Sequence, residues 1–417
     1  MFALFLTLIA CDNEPIEAAT YYTTAKPMAE RYCTRCHYEG GQGGFDFTDQ
    51  ATVEAMAETM LAAIDAGTMP PPVSDPECRE YVGSEHLVLP AEERDAFAAW
   101  IEGGMPEGDE ADTPEIIQPP TSIDDPDLEI RLPTPYTPPF ADAANPGNEY
   151  RCFALEHDRD EAFFVTAMAP LIDERDLVHH IVVFPMDESD VPDDYDPVNG
   201  YDCINKTGQV EEMIAGWAPG TMPLELDEGL GIRINADQRI VLQMHYFQSG
   251  TEQKSDQSGY AFRTVDDVDT EVLLYPFGDW DFKIPAGDED YTYGIQWDIP
   301  ESINYGGAEI DMPDITVYGV FPHMHVLGTG YDLNITRPDG EEECGLYSDR
   351  YSFDNQITYL FDEPLVIEGG DTLNWSCTWN NSESNPELIN SPPTDVEYGE
   401  RTDEEMCWAF TLISYDF

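Results

Sequence analysis

The sequence predicts a multidomain chain, with a small all-α domain followed by two antiparallel β-sandwiches of jelly-roll-like kind. Helical periodicity is confined to the first hundred residues. An acidic, Pro-rich stretch then interrupts the chain. Beyond it come short apolar or alternating runs separated by Gly and Pro turns, the signature of sandwiches. At 417 residues the chain exceeds what one ordinary core accommodates, so two or three domains are expected.

Residues 1–19 read as a lipoprotein-type signal and tether. The apolar run from Met1 to Ala10 is too short to span a bilayer as a helix. It has the character of the h-region of a secretory signal, although no Lys or Arg precedes it. Leu8-Ile9-Ala10-Cys11 resembles a bacterial lipobox, in which the Cys carries the lipid, and Asp12-Asn13-Glu14-Pro15 begins a polar tether. The expectation is export to the bacterial periplasm or cell surface, with membrane contact only through Cys11.

Residues 20–106 carry helical patterning over Thr52–Ala66 and Pro90–Ile101. The second helix opens on Pro90-Ala91-Glu92-Glu93 and is ended by Gly103-Gly104. Residues 107–126, rich in Asp, Glu, Pro and Thr, have the composition of an extended charged linker, one that lets the first domain swing. Strand-like runs follow at Leu128–Leu132, Ala162–Met168, His179–Phe184, Ile240–Phe247 and Tyr260–Val265. More lie at Glu271–Tyr275, Ile315–Phe321, Tyr331–Thr336, Thr372–Thr378 and Trp408–Ser414. The stretch 127–417 is long for one sandwich, so it is divided into 127–268 and 269–417.

Lys and Arg number 18 against 85 Asp and Glu, a net charge of −67. Such a surface repels nucleic acid and anionic lipid. The acids are spread over the whole chain, which favours solubility in a salty medium over a dedicated basic partner.

Cys33-Thr34-Arg35-Cys36-His37 is a C-x-x-C-H motif, in which two thiols add to haem vinyls and the adjacent imidazole ligates the iron. A zinc half-site needs further ligands, for which Cys78 and His86 are poor candidates. A thioredoxin-type pair needs a βαβ context, which is absent. Gly67-Thr68-Met69-Pro70-Pro71 resembles the segment that supplies a thioether ligand in small cytochromes c, with Met60 and Met105 as rivals. Residues 28–104 resemble a class I cytochrome c, which implies a covalent haem c.

Eight His are present, and five of them lie in compact strand-like contexts. In a strand, His323 and His325 share a face, so both reach one metal while Met324 points away. His179 and His180 alternate faces and need a bulge to converge. His245 is placed to complete that set.

Here residues 127–417 resemble the copper type II, ascorbate-dependent monooxygenases. The resemblance rests on Val178-His179-His180, Leu242-Gln243-Met244-His245-Tyr246, His323-Met324-His325-Val326-Leu327-Gly328, Gly370-Asp371-Thr372-Leu373 leading to Cys377, and Glu404-Glu405-Met406-Cys407, in the family's order. It implies one copper on His179, His180 and His245, and a second on His323, His325 and Met406, the latter set acting catalytically. It also implies the disulfides Cys152–Cys203 and Cys377–Cys407. Cys78 and Cys344 stay unplaced, an interdomain bridge between them being left open. Where peptide-hydroxylating members carry an Arg, this chain has about Phe321. Their Asn and Tyr after the last Cys become Trp408 and Phe410. The pocket expected is apolar and aromatic, unsuited to clamping a peptide carboxylate.

The function expected is hydroxylation of a C–H bond of a small organic substrate by O2. The fused haem, fed by a periplasmic or extracellular donor (a redox protein or an ascorbate-like reductant), would supply the electrons. Two alternatives stand beside it. One is a non-enzymatic haem and copper electron-transfer or copper-handling lipoprotein; the other is a metal-stabilised adhesion module.

Overall fold

The computed structural model describes residues 19–41, 43–140, 148–203, 213–247 and 252–415. Cys11 lies outside the described residues. The chain is mostly β-sheet with few helices, and the β part forms two sandwich-like domains.

The helices are α1 (Lys26–Tyr32), α2 (Gln50–Asp65), α3 (Ser84–Leu87) and α4 (Ala91–Glu102). Asp49 caps α2 by accepting from the Thr52 amide at 2.9 Å. Pro90 precedes α4, and Gly103 closes it. Tyr21, Met28, Tyr32, Val53, Met60, Phe97 and Trp100 pack into one apolar cluster among these helices. The expectation of a free-standing all-α unit needs correction. Residues 73–82 are a strap laid on the C-terminal sandwich. The Ser74 amide donates to Tyr359 Oη at 2.9 Å, and the Val82 amide to the Leu360 carbonyl at 2.8 Å. Arg79 pairs with Glu343 at 2.5 Å. Cys78 is bonded to Cys344. The sequence accounts for this physically: Gly67, at positive φ, turns the chain out of α2, and Pro70-Pro71-Pro72 cannot resume a helix, so the chain runs on extended and its polar backbone pairs elsewhere.

The linker does not hang free either. Ile123 is buried against Ala167, Ala169 and Ala261, and the Asp127 amide donates to the Phe262 carbonyl at 3.0 Å. The swinging domain expected from composition is replaced by one tied at both ends.

In the N-terminal sandwich the strands are β1 (Leu128–Arg131), β2 (Asn148–Leu155), β3 (Phe163–Leu171), β4 (Val178–Asp187), β5 (Ala215–Trp217), β6 (Leu224–Glu225), β7 (Leu230–Ile234), β8 (Gln238–Phe247) and β9 (Gly259–Val265). The C-terminal sandwich adds β10 (Thr270–Gly278), β11 (Lys283–Ile284), β12 (Tyr291–Asp298), β13 (Ser302–Tyr305), β14 (Ala308–Asp311), β15 (Ile315–His323), β16 (Gly328–Thr336), β17 (Glu342–Ser348), β18 (Tyr359–Ile367), β19 (Thr372–Trp379), β20 (Val396–Glu397) and β21 (Trp408–Tyr415).

One sheet runs through both sandwiches, in the order β1-β9-β3-β7-β10-β21-β15-β18. Its halves join where β10 lies parallel to β7, with Thr270, Glu271 and Val272 opposite Leu230, Gly231 and Ile232. A β2-β8-β4-β5 sheet covers the first half and a β12-β19-β16-β17 sheet the second. Each sandwich has its own core, one around Phe153, Leu242, Tyr246 and Phe262, the other around Leu333, Trp375, Trp379 and Leu365. Cys152–Cys203 and Cys377–Cys407 are both formed.

Candidate functional site

His179 and His180 lie on β4 and His245 on β8, strands that pair antiparallel. The ladder shifts register between Val178 and His180, so consecutive His residues no longer alternate strictly across the sheet. His180 Nδ1 is 3.2 Å from His179 Nδ1 and 3.3 Å from His245 Nδ1. Ligand atoms of all three fall within 4.8 Å of one another. The Tyr150 ring, from β2, stacks parallel on His245 at 4.1 Å and fixes its plane. Burial pushes the His245 imidazole down to about 3. It also holds His180 far below the ordinary value, with the charges of His245, His179, His323 and His325 adding to the penalty. Three neutral imidazoles aiming nitrogens at one point cannot satisfy each other by hydrogen bonds alone. A cation with a taste for imidazole satisfies all three, so the set fits copper.

His323 ends β15, facing Trp408 of β21. Contrary to the regular His-x-His strand expected, His325 lies just past the strand end, where the chain turns towards β16. The two rings still converge, 5.2 Å apart and nearly perpendicular, and Met324 is fully buried in the core of the sandwich. Gln356 Oε1 accepts from His323 Nδ1 at 2.6 Å, and the Glu404 carbonyl from His325 Nδ1 at 2.9 Å. Both Nε2 lone pairs are thereby left for a metal. Burial holds His323 at about 3 and His325 at about 4. The buried Met406 lines the same cavity as His323 and His325, so a thioether, a soft donor of the kind cuprous copper favours, is available beside the two imidazoles.

Glu405 holds this site together. Its fully buried carboxylate accepts from the amides of His325 (2.9 Å), Leu327 (2.7 Å) and Met406 (3.3 Å), and from Trp379 Nε1 (3.0 Å). Burial raises its pKa to about 7 against these stabilising donors. Its neighbour in the Glu-Glu-Met-Cys run was the visible signal, yet the role is set by contacts from the turn between β15 and β16, from β19 and from the backbone of Met406.

His179 and His180 of the first set and His323, His325 and Met406 of the second line one open cavity with about 980 Å³ of empty space. Its apolar wall includes Ile181, Val182, Met213, Phe321, Phe353 and Phe410. Among the described residues its lining has no Lys or Arg and two carboxylates, Asp354 and Glu400. Of the three aromatic residues expected there, Phe321 and Phe410 line it and Trp408 does not. Trp408 packs behind, on Trp280 at 4.9 Å and Phe410 at 6.2 Å, because Gly278 leaves room for its indole against the backbone. Tyr150, Gln356 and Phe353 carried no sequence signal, since two sit in a loop and one in a strand without a motif.

A second cavity, about 1480 Å³ of empty space, is lined by Cys33, Cys36, His37, Met60 and Met69. Met105 is not among its lining residues. Cys33 and Cys36 are unpaired thiols. Burial pushes the Cys33 thiol up to about 12 and raises Cys36 too, the reverse of the lowered pKa of a reactive redox pair. His37 stacks on Phe47 at 4.6 Å, and burial lowers its pKa. Free thiols, a neutral imidazole and thioethers around an apolar space of this size fit a covalent haem. The cavity adjoins the first: His179 and Asp354 line both.

Residues 141–253 match the family described as copper type II ascorbate-dependent monooxygenase, N-terminal domain, and residues 301–415 match its C-terminal domain. Among curated proteins, peptidyl-glycine alpha-amidating monooxygenase A of Xenopus laevis is 24% identical over 296 residues, 69% of this chain and 28% of its own length. The putative DBH-like monooxygenase protein 2 of Homo sapiens is 26% identical over 229 residues, 52% of this chain and 44% of its own. The chain thus spans less than half the length of these relatives. Among solved structures, the major capsid protein P2 of bacteriophage PM2 is 8% identical at a TM-score of 0.26, covering 70% of this chain and 98% of that one, a likeness that carries no argument.

Proposed function

We propose, for a chain that belongs to the copper type II ascorbate-dependent monooxygenase family, that it hydroxylates a C–H bond of a small, weakly polar organic substrate with O2. The observation that carries this reading is the cavity onto which both donor sets open, through His179 and His180 on one side and His323, His325 and Met406 on the other. Copper bound there would supply one-electron redox chemistry and an open position for O2. The chain's own residues do the rest. Gln356 and the Glu404 carbonyl keep His323 and His325 in the tautomer that offers Nε2. Glu405 fixes the backbone of His325 against that of Met406. Phe321, Phe353 and Phe410 seat an apolar or aromatic substrate and keep water from it. Among the described residues the cavity is lined by the carboxylates of Asp354 and Glu400 and by no Lys or Arg, which favours a substrate without an anionic group there.

The electron supply is assigned to the helical segment, read as a cytochrome c-like module. Cys33 and Cys36 would hold the haem, His37 and Met69 would ligate it, and the haem would deliver electrons singly. Its cavity adjoins the three-imidazole set through His179. A periplasmic or extracellular donor, a redox protein or an ascorbate-like reductant, would refill it. Export and a lipid on Cys11 complete the proposal.

The test is reductant-dependent O2 consumption by the haem- and copper-loaded chain across aromatic and other small substrates, with mass spectrometry for one added oxygen. Haem that is reoxidised without any substrate-stimulated O2 uptake would favour a non-enzymatic electron-transfer protein.

A further inference from the structure

The loop between β17 and β18 touches both cavities. Arg350 Nη1 donates to the Gly67 carbonyl at 3.1 Å, and Asn355 Nδ2 to the Pro72 carbonyl at 3.0 Å. These two carbonyls bracket Met69-Pro70-Pro71. Prolines have no amide proton, so carbonyls are the main backbone handles on that segment. A Cβ at Gly67 would stand 1.7 Å from Arg350 Nη1, so the guanidinium rests on the α-carbon itself. Gly67 also has φ +67°, where side chains are disfavoured.

From the same loop, Gln356 accepts the His323 Nδ1 proton, and the Phe353 ring stands edge-on to His325 at 5.9 Å. Tyr351 Oη donates to the Met324 carbonyl at 2.8 Å, fixing the residue between the two imidazoles. Asp354 Oδ1 lies 4.0 Å from His179 Nε2.

We propose that residues 350–356 are a positioning loop that presents Met69 to the cavity of Cys33, Cys36 and His37 and at the same time orients His323. The thioether offered to a haem held there would then be positioned by the C-terminal copper sandwich, not by the helical segment alone. This rests on the haem reading above. On the helical side the amides of Gly67, Thr68 and Met69 hold the start of the segment to the Ile64 and Ala63 carbonyls, but the prolines that follow have no amide to be held by, and Met69 is 43% exposed. The loop supplies that hold, and the Cys78–Cys344 bond a few residues on keeps the two parts in register.

The experiment uses the full chain, made in a host that attaches haem c, beside the paired variant Arg350→Ala/Asn355→Ala. Covalent haem is read by mass, copper by metal analysis, and Met69 ligation by the thioether-to-iron charge-transfer band and the midpoint potential. The expected result is unchanged haem and copper per chain, loss of the band and a lower potential, since thioether ligation raises it. Arg350→Lys/Asn355→Gln should restore part of the band. A band and potential equal to wild type in the paired variant would overturn the proposal. If that variant does not fold, Arg350→Ala alone, at a side chain 59% exposed, should weaken the band, and an unaltered band again overturns it. Wild-type chain with covalent haem but no such band refutes the loop's role and leaves the haem reading standing. Chain without covalent haem refutes the haem reading and this inference with it.

Discussion

Stripping the copper and acidifying should loosen the cleft well before most carboxylates titrate. His245 and His323 are held at about 3 and His325 at about 4, against an ordinary 6.5. Their folded values are depressed, so the stability they contribute is fully present above pH 6.5 and is lost as pH falls towards 3. Between pH 6 and 5 the unfolded chain holds nearly three more protons on these residues than the folded chain does, a loss of about 3.5 kcal/mol. Glu405 works the other way. Raised from 4.5 to about 7, it binds its proton more tightly when folded and returns about 1 kcal/mol over the same interval. The His term wins, leaving a net loss of about 2.5 kcal/mol, a large fraction of the roughly 5–15 kcal/mol that a domain has. The assay is the urea midpoint of chelator-treated chain, followed by tryptophan fluorescence at pH 7, 6 and 5 at fixed ionic strength. The midpoint should fall, His245→Leu should shrink the fall by removing one of the depressed imidazoles, and copper-loaded chain should resist it because the metal binds only the folded form. A midpoint that is flat or rises between pH 6 and 5 would refute the reasoning.

Met406→Ile should abolish substrate-stimulated O2 uptake while the three-imidazole site keeps its copper by metal analysis. Gln356→Ala removes the acceptor that fixes the His323 tautomer and should weaken copper binding at that site roughly 10- to 100-fold, read by competition with a chelator. Glu405→Ala leaves buried donors on His325, Leu327 and Trp379 without a partner and should cost roughly 3 kcal/mol or more by urea unfolding of the metal-free chain. Cys78→Ser with Cys344→Ser opens a link across 266 residues, for which chain entropy sets an upper value of about 5 kcal/mol. An unchanged urea midpoint would mean that the strap's hydrogen bonds hold without it.

The strands that alternate cleanly were legible in the sequence, because one buried face imposes a period of two on residues such as those of β1 and β19. Strands β12 and β17 were not: β12 is largely exposed on both faces, and β17 carries a Gly and two adjacent acids. The parallel join of β7 and β10 left no trace, since pairing between distant strands is decided by the assembled sheet. His179, His180, His245, His323 and His325 were readable from type and spacing because imidazole is scarce in this chain. The residues that orient them, Gln356 and Tyr150, were not, because a hydrogen-bond acceptor or a stacked ring is chosen by position and many residue types would look the same. The interior orientation of Trp408 turned on a glycine 130 residues away.

The continuous sheet has a consequence for making this protein in pieces. Cutting the chain between Val265 and Thr270 would separate β7 from β10 and leave each half with a bare row of amides and carbonyls where its neighbour had been. Those rows are the kind that recruit strands from other molecules. Either half produced alone should self-associate or precipitate, and only co-production, letting the two edges find each other, should return monodisperse material.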